Sequence, residues 1–192
     1  GVYAGRVSSP LPTAAAASSR SAHSSPARRA GSGLRRLLSP RCLMCATVAG
    51  DPLCAVCETA FFDAGVHRCR SCAQRLGPAA GDLCGRCLRS PPAFDGSITL
   101  ADYAAPVDGL VVALKFGHRL EIASSLGRLL GAAIARHAPS SAAIVAVPLA
   151  FERQRERGFN QTLEIARVAA RVAARPLLPA VLLRTRHRPA QE

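Results

Sequence analysis

The stretch CLMCATVAGDPLCAVC, residues 42–57, decides how the first part of this chain folds. It contains two Cys-x-x-Cys pairs, and the stretch CRSCAQRLGPAAGDLCGRC, residues 69–87, contains two more. Two thiolates three positions apart can hold one metal ion from a tight turn, and two such pairs complete a tetrahedral shell of four sulfurs. The spacing therefore predicts two structural Zn²⁺ sites that use every cysteine of the chain: Cys42, Cys45, Cys54, Cys57, Cys69, Cys72, Cys84 and Cys87.

Disulfides and iron–sulfur clusters are the alternative uses of these cysteines. A disulfide framework needs an oxidising compartment, and nothing in the sequence signals export. A redox Cys-x-x-Cys normally occurs once, at a helix start, rather than four times in series, so we favour zinc. Consecutive pairing would give two ribbons in series, and interleaved pairing would give a cross-braced unit. The short gaps between the pairs favour the consecutive arrangement.

Positive charge is concentrated at the start of the chain. The 192 residues carry a formal net charge of +13, and residues 1–41 contain seven arginines and no acid. That segment is rich in Ser, Ala and Pro, which predicts a disordered basic segment over residues 1–40. It could be a solvated tail, a gene-start artefact, a transit-like extension or a tail that contacts nucleic acid. No window approaches the roughly 18 apolar residues that span a bilayer, so we expect a cytoplasmic protein without a membrane partner.

The composition after the last cysteine is that of a second module. We place a double zinc ribbon at residues 41–90 and an α/β domain at residues 94–192. Alternating apolar residues predict a strand over GSITLADY, residues 96–103, and the continuous apolar run AAIVAV, residues 142–147, predicts a buried parallel strand. The segment LLPAVLLRT, residues 177–185, predicts a further strand.

Helical patterns separate these predicted strands. Proline and glycine signals bound a helix at residues 106–117, and an apolar stripe at helical spacing predicts another over residues 119–137. A third is predicted over residues 161–175, with Asn160 as its N-cap. Alternation of strands and helices predicts an α/β fold, with a largely parallel sheet and flanking helices, behind the zinc module.

Three arginines stand at alternate positions in PLAFERQRERGFNQ, residues 148–161. Ligands of open α/β sheets gather beyond the carboxyl ends of the strands, where this segment would lie. If the segment is extended, Arg153, Arg155 and Arg157 share one face. Each guanidinium group can donate two parallel hydrogen bonds to the oxygens of a phosphate. The pattern predicts a polyanion site for phosphate or pyrophosphate. A solvated loop whose glutamates partly neutralise the arginines is the alternative.

Three of these stretches together resemble the ComF family. They are PVDGLVVALKFGHR, residues 106–119, IVAVPLAFERQRERGFNQTLEIAR, residues 144–167, and LLRTRHRPAQ, residues 182–191, preceded by the four cysteine pairs. ComF proteins are bacterial phosphoribosyltransferase-like proteins linked to competence for DNA uptake. The resemblance implies an N-terminal double zinc ribbon, a type I phosphoribosyltransferase fold, and phosphoribosyl pyrophosphate as ligand, usually with Mg²⁺.

The resemblance also implies which residues line the ligand pocket. The positions that match the family's motifs are Lys115, Arg153, Arg155, Arg157, Asn160 and Gln161. The segment RTRHRPAQ, residues 184–191, is similar to the start of the loop that closes over the site in such enzymes. Single-stranded DNA and a competence helicase are the further partners to consider. The sequence names no catalytic residue and no acceptor nucleophile.

One expected motif is missing from the sequence. Type I phosphoribosyltransferases carry two adjacent acidic residues followed by a Thr-Thr-Gly-type loop, and this sequence contains no adjacent acidic pair. The resemblance implies that such a segment would follow Glu192, so we expect the chain alone to bind phosphoribosyl pyrophosphate weakly or not at all and to be inactive. The competing functions are a zinc-ribbon module that binds single-stranded DNA, and a docking module without catalysis.

Overall fold

The structure, a computed structural model, describes residues 40–62, 65–179 and 181–184. Within these ranges the regular elements are six helices: α1 (Ala55–Phe61), α2 (Gly85–Arg89), α3 (Val107–Phe116), α4 (Glu121–His137), α5 (Phe151–Arg157) and α6 (Gln161–Ala173). The predicted disordered segment and the predicted closing loop lie almost entirely outside the described residues. The three predicted helices correspond to α3, α4 and α6, with ends that agree to within two residues.

Two small four-cysteine modules precede the long helices and repeat each other in detail. In each, a turn carries the first cysteine pair, a short antiparallel bridge closes that turn, and the second pair opens a short helix. The bridges join Arg41 to Val48 and Arg68 to Arg75. This geometry matches the predicted ribbons, and we call the modules ribbon 1 (residues 41–62) and ribbon 2 (residues 68–89).

Helices α4 and α6 pack against each other more closely than ordinary side chains allow. Gly127 and Gly131 lie four residues apart on α4, facing α6. A Cβ added to Gly127 would lie 2.6 Å from the Cβ of Val168, and one added to Gly131 would lie 2.7 Å from the carbonyl oxygen of Ala169. Alanines of α6 fill the other side of this contact, since Ala166, Ala169, Ala170 and Ala173 are all buried.

Ribbon 1 and the helices share one apolar core. Leu53 and Phe62 from ribbon 1 form a single buried cluster with residues of α3 and α4, namely Leu110, Leu114, Ile122, Ala123 and Leu126. Arg128 of α4 also forms a salt bridge with Glu58 of α1. Ribbon 2 has a separate cluster around Cys69, Cys84 and Cys87, against which Leu76 and Leu83 pack. Ribbon 1 is therefore built into the helical unit.

The predicted parallel sheet is wrong for the described part of the chain. The segments 142–147 and 177–185 do meet in parallel, but only through one bridge between Ile144 and Leu177. The N–H of Ile144 donates to the carbonyl of Pro176 at 2.8 Å, and the N–H of Leu178 donates to the carbonyl of Ile144 at 2.9 Å. Pro176 has no N–H with which to continue the ladder backwards, so the pairing cannot extend on that side of the bridge.

The predicted strand over residues 96–103 is also absent. The segment runs from ribbon 2 to α3 without a strand partner among the described residues, and its backbone contact is the N–H of Ser97 with the carbonyl of Arg70 at 3.3 Å. An alternating pattern identifies a surface that could pair, but a strand exists only where another segment lies beside it. The fold class is therefore zinc-ribbon-like modules with a helical unit.

Candidate metal centres and arginine site

The cysteines form two groups with consecutive pairing, as the short gaps predicted. One group is Cys42, Cys45, Cys54 and Cys57, and the other is Cys69, Cys72, Cys84 and Cys87; within each, the sulfurs lie within 4.8 Å of one another. The Sγ atoms of Cys45 and Cys54 are 3.6 Å apart, and those of Cys72 and Cys84 are 3.7 Å apart. A tetrahedral ion with about 2.3 Å Zn–S bonds separates its sulfurs by about 3.8 Å, so both groups fit Zn²⁺.

Backbone N–H groups stabilise the thiolates that such an ion needs. The N–H of Cys54 donates to the Sγ of Cys42 at 3.4 Å, and the N–H of Cys84 donates to the Sγ of Cys69 at 3.3 Å. Burial alone would raise the pKa of Cys42, but backbone donors that include Cys45 and Cys54 outweigh it and lower the pKa to about 6. Bonds from the backbone of Cys72 and Cys84 lower the pKa of Cys69 to about 6 as well.

The last cysteine of each group, by contrast, has a raised pKa. Burial and the neighbouring thiols raise the pKa of Cys57, and burial first of all raises the pKa of Cys87 to about 12. Four thiolates in one shell repel each other, so only a bound cation allows all four to ionise together. A metal ion held by all four sulfurs of a group would have no open position for a substrate, as in structural zinc sites.

An arginine before each first cysteine supports its turn. The guanidinium of Arg41 donates to the carbonyl of Ala46 at 3.1 Å, and that of Arg68 donates to the carbonyl of Ala73 at 3.1 Å. Both alanines have a left-handed backbone, with φ of 59° and 61°. The sequence signal was the repeated pattern Arg-Cys-x-x-Cys-Ala, which the cysteine spacing alone did not bring out.

Asp102 fastens ribbon 2 to the segment that leads into α3. Its carboxylate accepts from Arg68 at 2.6 Å and also pairs with Arg75. The hydrogen bond from Arg68 is the main reason that the pKa of Asp102 lies below its usual range. The Arg68 side chain is 17% exposed and that of Asp102 is 37% exposed, so the pair lies at the protein surface with the arginine partly covered.

The arginine segment is a helix, α5, rather than an extended loop. Residues two apart on a helix lie about 160° from each other, and residues four apart lie about 40° from each other. Arg153 and Arg157 therefore share a face, while Arg155 points elsewhere, with its guanidinium 5.8 Å from the ring centroid of Phe151. The helix ends at Gly158, whose φ of 75° belongs to the left-handed region that favours glycine.

Arg157 is the best-defined of the predicted ligand residues. Its guanidinium lies 5.2 Å from the ring centroid of Phe116, and its Nη1 donates to the Oε1 of Gln161 at 2.8 Å. Phe116 directly follows Lys115 at the end of α3. The contacts of Arg157 thus bring the ends of α3 and α5 and the start of α6 to one place. No hydrogen bond or ring contact of the described residues joins Lys115 to Arg157 or Gln161.

Asn160 is the N-cap of α6. Its Oδ1 accepts from the N–H of Thr162 at 3.0 Å, which confirms the predicted N-cap of α6. Thr162 and Asn160 both donate to the carbonyl of Val147, at 2.6 Å and 3.3 Å. These bonds fix the start of α6 to the end of the apolar segment 142–147.

Three residues of the site escaped the sequence analysis. Phe116 lies under Arg157, and His118 makes an edge contact with Phe159, with ring centroids 5.8 Å apart. All three are in the stretches that carry the family resemblance, but an aromatic residue at a helix end gives no local sign of what it contacts. No helix in the described part of the chain is long and apolar enough to cross a membrane.

Two four-cysteine modules joined to a helical unit with an arginine-rich helix define the class: a zinc-ribbon-like protein with an attached helical unit. The chain is 46% identical over 85 residues to DNA utilization protein YhgH of Escherichia coli, covering 41% of this chain and 37% of that protein. It is 39% identical over 115 residues to the protein of the same name from Salmonella typhi, covering 57% and 50%.

Competence protein F of Haemophilus influenzae is 30% identical over 156 residues, which cover 77% of this chain and 66% of that protein. The chain belongs to the ComF family. The matched segments span between 37% and 66% of the lengths of these three relatives. No family model matches the chain, and no solved structure matches it significantly.

Proposed function

We propose that this chain belongs to a protein with a role in competence or DNA utilisation, and that α5 and the end of α3 recognise the diphosphate of phosphoribosyl pyrophosphate. The names of the relatives, DNA utilization protein and Competence protein F, support the first part. The observation that supports the second is the position of Arg157, which is held by Phe116 and Gln161 beside a second arginine of the same helix face.

The two positive charges on this face of α5 would favour the binding of an anion. Arg153 and Arg157 stand four residues apart, and none of the salt bridges within the described residues involves either of them. Burial first, and then the charge of Arg153, lower the pKa of Arg157. A diphosphate that binds both guanidinium groups would remove this repulsion and form charge-assisted hydrogen bonds.

The proposed site is one half of what phosphoribosyl pyrophosphate requires. The sequence offers no adjacent acidic pair for the ribose hydroxyls, so the diphosphate would carry most of the binding free energy. We expect weak binding, with Mg²⁺ acting as the counter-ion of the diphosphate. The two zinc centres would support the fold and take no part in chemistry, because their shells are closed.

Calorimetric titration of the zinc-loaded chain with inorganic pyrophosphate and with phosphoribosyl pyrophosphate, each with and without Mg²⁺, tests this proposal. We expect dissociation constants on the order of 1 mM, and a loss of about five-fold or more in the Arg157→Ala variant. Arg171→Ala, on the exposed side of α6, removes the same charge elsewhere and should change binding by less than about two-fold. Equal losses of affinity in the two variants would mean that net charge alone explains the binding, and would contradict the proposed site.

Single-stranded DNA is a second candidate ligand, favoured by one observation. Two exposed phenylalanines, Phe116 and Phe151, each have an arginine over or beside the ring, an arrangement suited to unpaired bases. Binding of an oligothymidine that falls steeply with salt and is weakened by Phe151→Ala would support it. Pyrophosphate binding that survives Phe151→Ala would keep the two activities distinct.

A further inference from the structure

An open cleft of about 800 Å³ lies between ribbon 2 and the second half of α4. Its apolar wall includes Phe62, Leu129 and Ala133, and the chain segment from Asp95 to Leu100 runs along it. The cleft shares no residue with the arginine site on α5, so it needs an explanation of its own.

The segment along the cleft makes few backbone hydrogen bonds with the described residues. From Gly96 to Thr99 the chain forms no helix, turn or bend. Its first residues are held against ribbon 2, because the N–H of Ser97 donates to the carbonyl of Arg70 and a Cβ on Gly96 would lie 3.0 Å from that oxygen. Beyond Ser97, the described residues supply no backbone partner for Ile98 or Thr99.

Unpaired backbone groups beside an apolar wall form the edge of an incomplete sheet. Such an edge binds an extended peptide by main-chain hydrogen bonds, and pockets for alternate side chains set its specificity. Ile98 is 37% exposed and lines the cleft, and so does Leu100, which also packs against the main core. The alternating pattern of residues 96–103, which forms no strand in this structure, is the pattern of a strand that lacks its partner.

The charges around the cleft indicate the chemistry of that partner. Three guanidinium groups line it, from Arg68, Arg70 and Arg136, together with His137 and a single carboxylate, Asp95. Arg68 is occupied by Asp102, whereas no salt bridge of the described residues involves Arg70 or Arg136. An acidic partner would be attracted and a basic one repelled.

We propose that residues 97–100 accept an extended acidic peptide segment of a partner protein, which adds to this edge as a β-strand. Apolar side chains at alternate positions of the peptide lie against Ile98 and the wall formed by α4. Carboxylates at the intervening positions lie toward Arg70 and Arg136. The site is independent of phosphate recognition on α5.

Fluorescence anisotropy of labelled seven-residue peptides added to the zinc-loaded full chain tests the proposal. A peptide of alternating Glu and Val should bind, and its Lys–Val counterpart should bind about ten-fold more weakly or worse. A Glu–Val peptide with N-methyl groups on the pairing edge keeps the charge but lacks the main-chain donors. Its affinity should also be about ten-fold lower. Hydrogen exchange should slow at the amides of Ile98 and Thr99 when the first peptide binds.

Charge reversal on the protein gives a matched pair of variants. Arg136→Glu should weaken the Glu–Val peptide by about ten-fold, and Arg171→Glu, outside the cleft, by less than about two-fold. The peptide comparisons use the unchanged protein, so they stand even where Arg136→Glu fails to fold. Absence of binding at about 1 mM peptide, equal binding of the N-methylated peptide, or protection confined to other segments would each overturn the proposal.

Discussion

The guanidinium of Arg157 lies over the ring of Phe116, 5.2 Å from its centroid. Phe116 is 68% exposed at the end of α3, so the arginine packs on a ring that still faces water. The contact joins two helices that are far apart in the sequence, and it places the charge of Arg157 at the end of α3. The geometry of the proposed anion site therefore depends on an aromatic residue that itself carries no charge.

Replacing Phe116 should weaken anion binding without changing the charge of the site. An exposed cation–aromatic contact contributes about 0.5–1 kcal/mol, so Phe116→Ala should weaken pyrophosphate binding by roughly two- to five-fold, because Arg157 becomes free to adopt other rotamers. Calorimetric titration measures the change. Phe151→Ala, which removes the ring beside Arg155, is the control and should leave pyrophosphate affinity unaltered; an equal loss there would show that the aromatic residues act non-specifically.

Loss of the two metal centres should have unequal effects. Cys54→Ser and Cys84→Ser are a matched pair, because each cysteine is the N-cap of the short helix of its ribbon. The first substitution should lower the melting temperature of the long helices, since Leu53 and Phe62 belong to their core. The second should act mainly on ribbon 2, which has a core cluster of its own.

Circular dichroism at the helical band, with zinc content measured in parallel, compares these two variants. We expect each to retain about one equivalent of zinc, and Cys54→Ser to melt at the lower temperature. Equal melting temperatures would mean that loss of metal from ribbon 1 does not destabilise the long helices through the core that they share.

Asp102→Asn should loosen the segment that borders the cleft. The substitution removes the charge that Arg68 and Arg75 share, so hydrogen exchange should speed up over residues 96–103 while global melting changes little, as for most exposed pairs. Asp95→Asn, in the same segment and without a salt bridge among the described residues, is the control.

The pH dependence of this contact follows from the pKa of Asp102, which is lowered chiefly by Arg68. A carboxylate with a lowered folded-state pKa stabilises above its unfolded value and loses that effect only as the pH falls through the folded value. The ratio of the protection factors of the wild-type protein and Asp102→Asn over this segment should therefore stay constant from about pH 8 to about pH 5.5. A difference that fades within this window would contradict the assignment to Asp102.

Local chemistry made the grouping of the cysteines and the helices predictable. Cysteine spacing specifies a chelate whatever the rest of the fold does, and Asn160, Pro106 and Gly117 mark helix ends through their own backbone and side-chain preferences. The predicted sheet failed because strand pairing is not local. The apolar run around Ile144 meets one partner, and Pro176 stops the ladder there for lack of an N–H.

The arginine segment was predicted with the wrong local geometry, and its ligand-binding role stays a prediction. Alternate arginines suggested one face of an extended segment, but the segment from Phe151 to Arg157 is helical, so Arg153 and Arg157 form the pair. The contacts of Phe116 and Gln161 with Arg157 span different elements, and no pattern within either stretch specifies them.

The contact between α4 and α6 gives the clearest test of packing. Gly131→Ala would place a methyl group 2.7 Å from the carbonyl oxygen of Ala169 and from the Cβ of Val172, so the two helices must separate. Overpacking of this kind costs about 1–3 kcal/mol, more than the roughly 1 kcal/mol that alanine gains over glycine in a helix. Gly109→Ala in α3 is the matched control, because nothing lies within 4 Å of its new methyl group.

Urea unfolding should show Gly131→Ala less stable than the wild-type protein and Gly109→Ala more stable by about 0.5–1 kcal/mol. Stabilisation by both substitutions would mean that α4 and α6 are not in this close contact in solution.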